Sequence, residues 1–99
     1  MDGNVITEQK SKVKIKEPKQ FKVVMYNDDY TTMEFVVDVL VNVFNKTLIE
    51  AEKIMLDVHK RGKGIAGIYA YDIAITKATI AMKLAKEEGF PFKLTTEEV

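Results

Sequence analysis

The chemistry available to this chain is concentrated in a few polar residues. Asn27, Asp28 and Asp29 stand side by side in "VVMYNDDYTTMEF", residues 23–35, and His59 is the only histidine. One acidic residue suffices for a turn, so an amide and two carboxylates together suggest a surface built to hold a positive charge. Two other uses of the same residues stay open. His59 paired with Asp28 or Asp29 has the makings of a general base, and the three together supply part of a metal site, which ordinarily needs three or four ligands and a supporting shell. The plainer alternative is structural: Asn and Asp bond their own backbone in turns, and a histidine near a helix end complements the helix dipole.

Little else in the chain is reactive. Cysteine is absent and Ser11 is the only serine, so a covalent mechanism would have to use threonine, lysine or a carboxylate, and no recognisable motif surrounds any of them. An enzyme is therefore not expected, nor a metal or cofactor. Residues 62–71, "GKGIAGIYAY", are glycine-rich but lack the lysine and Ser/Thr positions of a phosphate loop.

The elements that must position these residues are legible from local pattern. "FKVVMY", 21–26, is β-branched and aromatic, a first strand. Thr31 and Glu34 have the spacing of a capping box, and Met33, Val36, Val37, Leu40 and Phe44 recur at helical intervals. Thr47 and Glu50 repeat the device before a second helix with Leu48, Ala51, Ile54, Met55 and Val58 on one stripe. Gly62 is placed to end that helix in a left-handed conformation. A second strand follows within 62–71. A third helix carries Ile73, Ala74, Ala78, Ala81 and Ala85, with Ile80 and Leu84 alongside, and stops near Gly89 and Pro91; "FKLT", 92–95, forms a last strand. The order β-α-α-β-α-β predicts an α+β sandwich, with helices on one face of a three-stranded, mainly antiparallel sheet.

Bulk composition sets outer limits. Ninety-nine residues with 46% hydrophobic content suit one domain with a real core. We divide the chain into a flexible extension, 1–20, and a core domain, 21–99. "KVKIK", 12–16, alternates as an edge-pairing strand would. Residues 10–22 hold six lysines against one glutamate, a local charge of +5, whereas residues 23–99 carry nine basic and twelve acidic residues, net −3. The body thus lacks the basic face of a nucleic-acid-binding domain. No segment approaches the roughly 18 apolar residues of a membrane span. The start of the chain lacks the pattern of a signal peptide, and the absence of cysteine suits a reducing compartment, so a cytoplasmic monomer is expected.

Taken together, "YNDDYTTMEFVVDVL" at 26–40 and "IMLDVHKRGKGIAGIY" at 54–69 resemble the ClpS family, adaptors that deliver N-degron substrates to a Clp AAA+ protease. The resemblance implies that Asn27 and His59, helped by Asp28, hydrogen-bond the substrate's α-ammonium, and that Asp29 contacts the peptide backbone. It implies a pocket walled by Thr31, Met33, Val36, Met55 and Val58 for a large first side chain (Leu, Phe, Tyr or Trp), with Met33 excluding β-branched residues. Asp72 and Lys77 would dock on the N-terminal domain of a ClpA- or ClpC-type chaperone, and the extension would serve substrate handover. The sequence departs from the family pattern at Thr32, where proline is common, and at Asp72, where glutamate is usual. Near the end, "FKLTTEEV" leaves open whether Leu94 or Thr96 adds to the pocket. The physics is consistent: a free amino terminus is a cation with several donors, and a polar mouth beside deformable methionines suits it. A similar α+β arrangement with an alanine-rich helix occurs in the carboxyl-terminal docking domain of the ribosomal stalk protein. That domain has no such pocket.

Overall fold

A computed structural model describes residues 18–99. Strand β1, Gln20–Tyr26, is followed by helices α1, Met33–Asn42, and α2, Leu48–Arg61; then come β2, Lys63–Ala70, helix α3, Tyr71–Glu87, and β3, Lys93–Glu98. The sheet order is β2-β1-β3, and both pairings are antiparallel. The predicted fold class and element order are therefore found. Gln20, assigned to the extension, is instead the first residue of β1: it pairs with Ala70, and its carbonyl accepts the Val99 N–H at 2.9 Å. Most of the proposed extension, including "KVKIK", lies outside the described residues.

One face of the sheet carries the helices. Strands alternate sides, so Val23 and Met25 of β1, Ala66 of β2 and Leu94 of β3 point into one core. That core also takes Val36, Val39 and Leu40 from α1, Phe44 just beyond it, and Ala51 and Val58 from α2. Helix α3 contributes Ala74, Ala78, Ala81 and Ala85, small residues that let its backbone lie close to the strands. Phe35 stacks edge-on against Phe90 and Phe92, closing the end of the core where α3 returns to β3.

The expectation fails at several apolar positions. Met33 and Leu48, read as part of buried stripes, are 47% and 59% exposed. Each occupies the first turn of its helix. On α3 the alanines are buried, whereas Ile73, Ile80 and Leu84 remain partly exposed beside them. Periodicity finds an apolar helix but does not choose between two adjacent apolar faces.

The helix ends decide how the site is built. Thr47 and Glu50 form the predicted capping box: the Thr47 hydroxyl accepts the Glu50 N–H at 3.2 Å, and the Glu50 carboxylate accepts the Thr47 N–H at 3.1 Å. Gly62 closes α2 at φ +90°, a conformation that glycine adopts without steric cost. The box predicted at Thr31 and Glu34 does not form. Thr32 is the cap of α1, its hydroxyl accepting the Phe35 N–H at 3.1 Å. The Thr31 hydroxyl is engaged elsewhere, donating to Asp28 Oδ2 at 2.8 Å.

Candidate functional site

The turn between β1 and α1 is organised by one carboxylate. Asp28 Oδ1 accepts the N–H groups of Tyr30 and Thr31 at 2.8 and 2.7 Å, while Oδ2 takes the Thr31 hydroxyl. Burial pushes the Asp28 carboxyl up, but hydrogen bonds from the Thr31 N–H, the Thr31 hydroxyl and the Tyr30 N–H outweigh it and hold the group below its ordinary value. Asp28 is thus the turn-former of the trio. The side chains of Asn27 and Asp29 make no hydrogen bond among the described residues, and neither does His59.

Backbone pairing brings the second half of the site alongside. The register of β1 on β2 ends at Tyr26 opposite Lys63, and the Asn27 N–H continues it by donating to the Gly62 carbonyl at 2.9 Å. Gly62 is the cap of α2, and His59 lies in that helix's last turn, so the bond places the imidazole beside the acidic turn. Helices α1 and α2 then enclose the apolar wall between them.

The result is a cavity of about 400 Å³ lined by Asn27, Asp28, Asp29, Thr31, Met33, Val36, Met55, Val58 and His59. All nine residues expected from the sequence to contact substrate therefore meet at one place. Tyr30 and Thr32 line it too. Neither was expected to line the pocket, although both lie inside the polar stretch that drew attention. Leu94 and Thr96 do not contribute: Leu94 is packed in the core opposite Met25, and Thr96 pairs with Val23. Size alone does not identify this cavity, since three other depressions have volumes between about 420 and 540 Å³. Its lining sets it apart: polar side chains that make no hydrogen bond among the described residues, beside valine and methionine. Among the described residues no group of three His, Cys, Asp or Glu side chains is placed to hold a metal ion.

Asp72 and Lys77 lie elsewhere, in a groove of about 460 Å³ lined also by Asn42, Val43, Asn45, Ile73, Thr76 and Ile80. Asp72 sits in the first turn of α3, with Oδ1 accepting the Ile73 N–H at 3.0 Å. Lys77 Nζ donates to the Val43 carbonyl at 2.6 Å and to Asn45 Oδ1 at 2.8 Å, and lies 5.2 Å from the centroid of the Tyr69 ring. Helix α1 has no basic residue in its own last turn, so Lys77 supplies the cation at its C-terminal end.

The family model described as the ATP-dependent Clp protease adaptor protein ClpS matches residues 16–95. The chain belongs to the ClpS family. Among curated members, the ATP-dependent Clp protease adapter protein ClpS of Clostridium acetobutylicum is 59% identical over 90 residues, covering 91% of this chain and 89% of that protein. The ClpS of Wolinella succinogenes is 50% identical over 92 residues, covering 93% and 90%. A solved structure, Agrobacterium tumefaciens ClpS2 bound to L-phenylalaninamide, superposes with a TM-score of 0.80 at 42% identity, covering 84% of this chain and all of that one. ClpS proteins are adaptors of the Clp protease, a non-catalytic role, and this chain shares it. The ribosomal-stalk alternative is left without support. No helix among the described residues is long and apolar enough to cross a membrane.

Proposed function

We propose that this ClpS-family adaptor recognises the free α-amino group and large hydrophobic first residue of N-degron substrates. In this reading Asn27 and His59 accept hydrogen bonds from the α-ammonium, Asp28 adds its negative charge from within the turn, and Asp29 receives a backbone N–H of the peptide. The first side chain (Leu, Phe, Tyr or Trp) enters between Thr31, Met33, Val36, Met55 and Val58. The observation that carries the reading is the convergence of unengaged acceptors on an apolar cavity. L-phenylalaninamide, the ligand of the Agrobacterium relative, has the same parts as such a substrate: a free α-amine, a benzyl side chain and an amide.

The groove at the start of α3, with Asp72 and Lys77, is the surface that docks on the N-terminal domain of a Clp AAA+ chaperone. The protein acts there as a cytoplasmic monomer, one adaptor carrying one substrate. Neither step requires a cofactor, because recognition and delivery need only binding.

Fluorescence anisotropy with a Leu-initiated peptide and its α-N-acetylated twin tests the substrate reading. Acetylation removes a charge and donors at once, so affinity should fall by more than about tenfold. Equal binding of the two peptides overturns it.

A further inference from the structure

Tyr30 lies on the rim of the cavity, yet 73% of it is exposed. A single exposed aromatic is ordinary on a protein surface. This one differs in where it stands and how it is held. Its N–H is fastened to Asp28 Oδ1 at 2.8 Å, so the ring projects from a pinned turn, and its hydroxyl makes no hydrogen bond among the described residues. Asp29 precedes it in sequence and lines the same cavity, and the Asp29 carboxylate also makes no hydrogen bond among the described residues.

The path of a bound peptide brings its second residue here, given the substrate reading above. With the α-amine at Asn27 and His59 and the first side chain between Met33 and Met55, the peptide leaves along Asp29. Its next Cα lies about 3.8 Å from the first, so the second side chain emerges over residues 29 and 30. We propose that Tyr30 is a specificity-determining residue whose ring stacks on the second side chain of the bound peptide and favours arginine there. A guanidinium lies flat on an aromatic face, is attracted by the ring's quadrupole, and finds the Asp29 carboxylate beside it. Lysine carries the same charge on a compact head with no plane to stack, which separates the ring's contribution from that of the acidic rim.

Three peptides that begin Leu-Arg, Leu-Lys and Leu-Ala and are otherwise identical test this, each with its α-N-acetylated twin. They are titrated against the full chain, Tyr30→Ala and Tyr30→Phe, with thermal melts as a check on folding. The full chain should bind Leu-Arg about two- to fivefold more tightly than Leu-Ala and more tightly than Leu-Lys. Tyr30→Ala should erase the margin of arginine over lysine, while Tyr30→Phe keeps the margin. Equal binding of the Arg and Lys peptides by the full chain, or an arginine margin that survives Tyr30→Ala, overturns the proposal. Loss of all discrimination against the acetylated twins overturns the substrate reading, and this proposal with it; the margin failing alone leaves that reading standing.

Discussion

The cavity between α1 and α2 and the groove beside α3 are both lined by polar and apolar residues, but their polar groups are differently committed. In the cavity, the side chains of Asn27, Asp29 and His59 make no hydrogen bond among the described residues, and Asp28 is engaged by the turn. In the groove, the Lys77 ammonium is already bonded to Val43 and Asn45 and sits near the Tyr69 ring. The first region can receive a cation without breaking anything. A partner that takes Lys77 competes with the carbonyl at the end of α1. Replacing Asn27, Asp29 or His59 should therefore cost affinity and spare stability, whereas replacing Lys77 should cost stability as well.

The largest effect should come from Asn27→Ala or His59→Ala. Losing a hydrogen bond to a charged group should weaken a Leu-initiated peptide about ten- to hundredfold, with little change in melting temperature. A melt that collapses along with binding would show that these side chains hold the fold after all, and would dissolve the contrast. Lys77→Met comes next. It should destabilise the domain by about 1–2 kcal/mol, a fall of several degrees in Tm, with peptide affinity nearly unchanged and binding to the chaperone N-terminal domain reduced. An unchanged Tm would mean that Lys77 is as free as the cavity residues.

Gly62→Ala sharpens the comparison from the backbone. With φ at +90°, an alanine there should cost about 1 kcal/mol. Because the Gly62 carbonyl receives the Asn27 N–H, peptide affinity should fall with stability. Met33→Ala should change selectivity more than strength, admitting Ile- and Val-initiated peptides while Leu binding falls little. Unaltered discrimination would remove Met33 as the gate.

The smallest effect is the acid dependence of the turn. Asp28 titrates below its ordinary value of 3.8 in the folded protein. Its contribution to stability is therefore complete above that ordinary value and is lost as pH falls through the lower folded one. Thermal melts between neutral pH and about pH 3 should converge for the full chain and Asp28→Asn at the acid end. A constant gap would assign the turn's stability to something other than the charge.

The errors of local inference have physical causes. Thr31 and Thr32 are both able to cap α1, and spacing to Glu34 favours the first. The choice falls to Thr32 because Asp28 captures the Thr31 hydroxyl, a contact no capping pattern contains. On α3, isoleucine is the more hydrophobic residue, yet alanine is buried, since a helix lying close on a sheet has room only for small side chains. By contrast, the capping box at Thr47 and the left-handed Gly62 depend on neighbours within a few residues, and both appear where local chemistry puts them.

The sequence by itself determined the element order, the α2 caps and the set of acceptor residues, because each follows from spacing within one turn or strand. Only the tertiary structure decided that Asn27 and His59 stand together. That proximity depends on the β1–β2 register and the bond from Asn27 to Gly62, which join residues far apart along the chain. The division between free acceptors in one region and a committed lysine in the other was likewise settled by packing, since a side chain's availability depends on what folds against it.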